Sequence, residues 1–268
     1  MREGHVDWRA GQTWYGVAGD GPQTPLLCLH GGPGSTHHYF APLYELADER
    51  PVILYDQLGC GGSRSDGEID WSVAIFLEEL DALRGALGLD RVHLLGTSWG
   101  GMLALEHVLA RQDTVASLVL SSTLASAAEW TREVKRLRDA IDIADDEAAN
   151  EVLESRHVFR GDPEREELRR MKASRGAAAY EAMWGPNEWT VTGALQGWDV
   201  RARLAEIHVP TLVIRGGHDL STPLVSRTLV QGIAGAREVV LDDSSHMPVL
   251  EETERYLGVL REFLALED

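Results

Sequence analysis

Basic residues are scarce in this chain: 25 Lys and Arg stand against 43 Asp and Glu, a formal net charge of −18. A surface of that balance repels nucleic acid and anionic headgroups, so neither is expected as a partner. It is compatible with a cationic substrate and equally with solubility alone. Cysteine is scarcer still. Two residues, Cys28 and Cys60, do not make the disulfide framework of a small secreted domain. Cys28 sits in an apolar run and reads as a small buried hydrophobe, and Cys60 lies in a glycine-rich loop with no sign of a reactive role. No apolar stretch approaches the ~20 residues that span a bilayer. The opening Met1-Arg2-Glu3-Gly4-His5-Val6-Asp7 has no hydrophobic signal core. Repeats and low-complexity linkers are also missing. The expectation is a soluble, cytoplasmic protein, and 268 residues suffice for one large core, with or without an insertion.

What is present is a rhythm. Short apolar runs at 25–30, 51–55, 91–96, 115–121, 210–215 and 237–241 alternate with helical patterns at 71–87, 100–111, 223–233 and 253–266. Continuous apolar strands separated by helices indicate an α/β fold with a mostly parallel sheet covered on both faces. Between 124 and 197 the rhythm breaks into charged amphipathic helical segments, such as Trp130-Thr131-Arg132-Glu133-Val134-Lys135-Arg136-Leu137. This stretch reads as a helical cap inserted over the carboxyl edge of the sheet, where open α/β sheets bind ligands. The core then comprises 1–123 and 198–268.

The run 91–96 leads directly into Gly96-Thr97-Ser98-Trp99-Gly100-Gly101. A serine flanked by glycines between strand and helix marks a nucleophile elbow, whose tight turn holds the hydroxyl clear of the sheet. An ordinary strand–helix turn is the plainer alternative. A serine nucleophile needs a base and a group to orient that base. In chain order for such a fold these follow as an acid and then a histidine. Asp219 stands in Arg215-Gly216-Gly217-His218-Asp219, after one late strand, and His246 in Leu241-Asp242-Asp243-Ser244-Ser245-His246, after the next. Of the ten histidines, only His246 ends a strand beyond the acid. His218 reads as a loop residue, His93 as a sheet residue, His37 and His38 as pocket rim, and His5, His107, His157 and His208 as surface or packing positions. Leu29-His30-Gly31-Gly32-Pro33-Gly34 follows the first parallel strand, with His30 as an anchor. The Gly32 N–H is free to form an oxyanion hole with the Trp99 N–H.

With these blocks, Tyr55-Asp56-Gln57-Leu58-Gly59-Cys60-Gly61-Gly62-Ser63, Gly185-Pro186-Asn187-Glu188-Trp189-Thr190, Trp198-Asp199 and Ser245-His246-Met247, nearly the whole chain resembles the α/β-hydrolase superfamily, and within it the proline iminopeptidase branch. The resemblance implies a triad of Ser98, Asp219 and His246, oxyanion donors at Gly32 and Trp99, and release of an N-terminal residue, often proline. It implies no metal and no organic cofactor. The expected partner is a small-molecule or short-peptide substrate with a free amine. On its residues alone Glu188 reads as a surface or helix-capping glutamate. The resemblance implies that it binds the substrate α-ammonium, since a carboxylate beyond the triad selects a cationic amine.

Two departures stand out. The family commonly has a second ammonium-binding glutamate directly after the triad aspartate, where this chain has Leu220, and the cap is short. Similar proteins include amino-acid amidases and amide hydrolases that remove an aminoacyl group from an antibiotic precursor. An apolar leaving group such as a macrolactam would suit Leu220, Trp130, Trp184 and Trp189, although those tryptophans could equally pack the cap onto the body. The leading expectation is an amide hydrolase acting through an acyl-enzyme. An esterase or lactonase for uncharged acyl groups, and a catalytically silent binding module on the same fold, are the alternatives.

Overall fold

A computed structural model describes all 268 residues. Nine strands form one sheet: β1 (Arg2–Trp8), β2 (Gly11–Ala18), β3 (Leu26–Leu29), β4 (Val52–Tyr55), β5 (Arg64–Ser65), β6 (Val92–Thr97), β7 (Val115–Ser121), β8 (Thr211–Gly216) and β9 (Arg237–Leu241). The spatial order is β1-β2-β4-β3-β6-β7-β8-β9, with β5 beside β2. From β4 to β9 every pairing is parallel, as the apolar runs require. The sequence pattern does not announce β1 and β2, which form an antiparallel hairpin onto β4. β1 is an edge strand with mostly exposed residues and β2 is only partly buried, so their polar, mixed composition makes no continuous apolar run.

Side-chain alternation divides the core. Leu27, Leu29, Ile53, Leu94 and Leu118 pack on one face, with α1 (Val73–Leu87) and α2 (Trp99–Arg111). Leu26, Cys28, Val52, Leu54 and Leu95 pack on the other. This is the period of two that a strand imposes on a sheet buried on both sides.

Four α-helices lie between β7 and β8: α3 (Ala127–Asp139), α4 (Asp146–Leu153), α5 (Glu166–Ala173) and α6 (Ala177–Met183). Ser126 and Asp145 start α3 and α4 with side-chain bonds to Glu129 N and Ala148 N. The chain ends with α7 (Pro223–Gly232), the single turn α8 (Pro248–Glu251) and α9 (Thr253–Leu266).

Backbone bonds stitch the helical segment to two core loops. Gly176 N–H donates to Gly34 O at 2.8 Å, and Gly61 N–H to Ser174 O at 2.9 Å. A Cβ at Gly34 would lie 2.3 Å from Gly176 O, and one at Gly176 would lie 2.5 Å from Gly59 O, so both positions require glycine.

Candidate active site

Parallel register sets the site. Leu29 pairs with Gly96, Thr97 with Ser121 and Gly216 with Leu241, so the loops after β3, β6, β8 and β9 leave one edge together. At the end of β6, Ser98 takes φ 55 and ψ −121, a conformation L residues rarely adopt. It precedes α2, where a serine ordinarily accepts from the helix's first amides, yet its side chain makes no such bond. Its hydroxyl is thereby released for other work. The turn is also sterically closed. A Cβ at Gly96 would lie 2.2 Å from Gly100 O, and one at Gly100 would lie 2.0 Å from Leu29 O.

Asp219 and His246 meet. His246 Nδ1–H donates to Asp219 Oδ1 at 2.7 Å, which leaves Nε2 as the unprotonated ring nitrogen. Asp219 also accepts from Ser221 N–H at 2.9 Å and Gly216 N–H at 3.3 Å, and its side chain is fully buried. Burial by itself pushes the His246 imidazolium down; the charge and hydrogen bond of Asp219 outweigh it, helped by Glu188 and Glu251. The net direction is above the ordinary histidine value. Ser98 and Asp219 are linked through intervening loops. Thr123 Oγ1–H donates to Ser98 O at 2.6 Å, Ser221 Oγ–H donates to Thr123 O at 2.8 Å, and Ser221 N–H reaches Asp219.

In the loop after β3, Tyr39 Oη accepts the Gly31 N–H at 2.7 Å. The Gly32 N–H has no acceptor within the protein. The Trp99 N–H belongs to the first turn of α2, where amides lack helical partners and the helix dipole is positive.

Glu188 lies in the turn after α6. Tyr180 Oη–H donates to its Oε1 at 2.8 Å, and Trp184 Nε1–H fixes the same turn by donating to Asn187 O at 2.9 Å. Glu188 stands near enough for its charge to raise His246. Trp184, 4% exposed, is a packing residue. Leu220 is buried, and the half-buried Trp189 carries the Arg138 guanidinium 5.9 Å from its ring centroid. Trp130 lies 5.6 Å from His246, ring centroid to ring centroid, and is fully buried with its indole N–H unpaired. Asn187 Oδ1 is likewise buried without a partner. Buried polar atoms usually have partners, so these two are candidates for bonds to a ligand. Nothing in the sequence marks the Trp130 indole as polar rather than packing.

Other histidines are engaged elsewhere. His157 Nδ1–H donates to His218 O at 2.7 Å, His93 pairs with Ser117 at 2.8 Å, and His37 with Asp56 at 2.8 Å. The cysteines are both free and buried. No helix is long and apolar enough to cross a membrane.

Residues 24–253 match the α/β hydrolase fold family. The chain is 42% identical to a proline iminopeptidase of Levilactobacillus brevis, covering 100% of this chain and 98% of that one. It is 39% identical to the proline iminopeptidase of Clostridioides difficile, over 100% and 99%. Among solved structures, VinJ superposes with a TM-score of 0.92 at 35% identity, over 100% of this chain and 99% of that one. A proline iminopeptidase of Mycobacterium smegmatis superposes with a TM-score of 0.90 at 34% identity, over 99% and 98%. Full-length similarity to several such enzymes, on a sheet of matching topology, places this chain in the proline iminopeptidase family of α/β hydrolases, as a serine hydrolase.

Proposed function

We propose that the protein hydrolyses an amide whose acyl group carries a free α-amine, releasing the N-terminal residue through an acyl-enzyme. The observation that carries this reading is the carboxylate of Glu188. It is held by Tyr180 and lies close enough to His246 to act on its charge. Tyr180 occupies one carboxylate oxygen, and the substrate ammonium takes the other.

Ser98 Oγ attacks the aminoacyl carbonyl as His246 Nε2 removes its proton. Asp219 holds the ring in the required tautomer and stabilises the imidazolium. The Gly32 and Trp99 amides receive the oxyanion. Collapse of the tetrahedral intermediate breaks the C–N bond, and the proton on His246 goes to the departing amine. A water then surrenders a proton to His246 and attacks the Ser98 ester. The Ser98 Oγ–acyl bond breaks, His246 returns the proton to Ser98 Oγ, and the amino acid is freed. Residues 124–197 act as a cap that closes over this chemistry, and a cytoplasmic location suits peptide substrates of this kind.

Leu220 favours a refinement. With an apolar residue where a second carboxylate commonly stands, the amine is gripped from one side, and the wall beside Asp219 suits an apolar group. An aminoacyl macrolactam or similar secondary-metabolite amide would fit that wall, and so would an uncharged ester, which makes an esterase or lactonase the second reading.

A panel of aminoacyl arylamides beginning with proline, their N-acylated counterparts, aminoacyl macrolactams and simple esters tests this, scored with Ser98→Ala and Glu188→Ala. Ser98→Ala is expected to abolish turnover in a folded protein. Above the acidic limb of the pH profile, Glu188→Ala is expected to raise KM for free-amine substrates and leave N-acylated ones unchanged. Equal losses on both would remove the amine assignment, and faster turnover of simple esters than of any aminoacyl amide would establish the second reading.

A further inference from the structure

An oxyanion hole built from Gly32 and Trp99 draws its two donors from different elements. One is the loop after β3, the other the first turn of α2. Sheet pairing of Leu29 with Gly96 and the close approach of Gly100 to Leu29 O bring the two backbones together. The donors must nonetheless lie ~2.7–3.1 Å from the oxyanion, and errors of ~0.5 Å matter. One buried side chain bonds to both, to the Trp99 indole and to the backbone just before Gly32. Gln57, fully buried in the loop after β4, accepts from Trp99 Nε1–H through Oε1 at 2.7 Å and donates from Nε2 to His30 O at 2.7 Å. Its amide has one possible orientation, because an indole nitrogen only donates and a carbonyl only accepts.

The rest of Gln57 is fixed as firmly. Its backbone N–H donates to His30 Nε2 at 2.9 Å, which obliges Nδ1 to carry the ring proton, donated to Gly31 O at 2.9 Å. Burial keeps that imidazole neutral, pushed down to about 4, so Nε2 stays an acceptor wherever the triad histidine can work as a base. Cys60 Sγ–H donates to Gln57 O at 3.1 Å. Beside it, Asp56 Oδ1 accepts both the backbone N–H and the Nδ1–H of His37 at 2.8 Å. The loop after β4 thus grips the oxyanion loop at His30 and again at His37.

We propose that Gln57 is a positioning residue for the hydrolytic reaction: its side-chain amide ties the indole of Trp99 to the backbone leading into Gly32 and so sets the spacing of the two oxyanion donors. This rests on the donor assignment proposed above. Gln57 touches no reacting atom. It acts by holding in place two amides that do, and the interaction matters once negative charge has formed on the carbonyl oxygen.

The test is a pair of single variants and their combination, assayed on an aminoacyl arylamide. Gln57→Met keeps the volume and removes both side-chain bonds; Trp99→Phe keeps a ring and removes only the indole N–H. Each is expected to lower kcat about tenfold or more with KM within about twofold. The double variant is expected to fall little below the worse single, because both cut the same tie. In Gln57→Glu the buried carboxylic acid, neutral near pH 7, can still accept from the indole and donate to His30 O. That variant is expected to keep most of the parental kcat. A kcat within twofold of the parent in Gln57→Met or Trp99→Phe would overturn the proposal, as would losses that multiply in the double variant or fall mainly on KM. Should Gln57→Met fail to fold, Trp99→Phe alone decides. Ser98→Ala run in parallel reports separately on the underlying chemistry, since turnover surviving it would mean that serine is not the nucleophile at all.

Discussion

Tyr180 donates to Glu188 Oε1 at 2.8 Å while the Arg175 guanidinium lies over the Tyr180 ring, 4.6 Å from its centroid. The carboxylate proposed to bind the substrate ammonium is thus held by a phenol, which itself lies under a cation. Removing the phenol oxygen should loosen the aim and leave the charge. Tyr180→Phe is expected to raise KM for free-amine substrates about three- to tenfold, the scale of one charge-assisted hydrogen bond, with kcat little changed. Steady-state kinetics on an aminoacyl arylamide and its N-acetyl derivative check this, and a shared effect on both would point to a general disturbance of the helical segment.

The direction of the His246 shift fixes a pH profile. In the proposed mechanism His246 must be neutral to accept the Ser98 proton, so activity is expected to be lost as pH falls through the histidine value. That value stands above the ordinary 6.5, because the Asp219 contribution, with those of Glu188 and Glu251, exceeds the opposing effect of burial. The acidic limb of kcat/KM is therefore expected above pH 6.5. Glu188→Gln removes one of the charges that raise it, so in that variant the limb should move to lower pH on an N-acylated substrate, where amine binding plays no part.

Glu79 is fully buried among Thr13, Leu58 and the nearby Asp56, and burial pushes its carboxyl up to about 8. Unfolded, it titrates near 4.5. Between these values the unfolded chain loses a proton that the folded one keeps, so this group favours folding at low pH and progressively less as pH climbs toward 8. Glu79→Gln, whose amide can accept from Leu58 N–H and donate to Thr13 Oγ1, should abolish that slope. Chemical denaturation at pH 5, 6.5 and 8 is expected to show the variant gaining on the parent as pH rises.

The bridge from Ser98 O through Thr123 to Ser221 and Asp219 has its own consequence. Thr123→Val leaves the Ser98 carbonyl without its side-chain donor, and Ser221→Ala removes the donor to Thr123 O. Each is expected to cost ~1–2 kcal/mol of stability, as for a buried hydrogen bond broken on one side. Each should also lower kcat more than KM, since the groups it disturbs hold the proposed nucleophile and the acid. Urea melts and kinetics on the same preparations separate the two effects.

The parallel half of the fold was legible because its strands are buried on both faces, so continuous apolar runs survive in the sequence. The hairpin of β1 and β2 was not, because β1 is an exposed edge strand, β2 is buried only in part, and the alternation is diluted by Gly4, Gly11 and Gly16. The residues proposed as catalytic were legible as strand-end residues in a known chain order. That Asp219 and His246 pair at 2.7 Å depends on parallel β8 and β9 ending together at Gly216 and Leu241. Gln57 was visible only as part of a motif. Its role lies in contacts to His30 and Trp99, far away along the chain, which no local pattern encodes. The unpaired Trp130 indole escaped for a similar reason, since tryptophan in an amphipathic helix signals packing until its surroundings are known.

The glycine stitch between Gly34, Gly176 and the loop at Gly59 makes the helical segment an unpromising module for exchange. Grafting it from one hydrolase to another would transplant only one side of a backbone-to-backbone fit, and the recipient's loops would have to be recut to receive it. Engineers seeking a new acyl preference would do better to vary side chains around Glu188 and leave the tripeptide Ser174-Arg175-Gly176 in place.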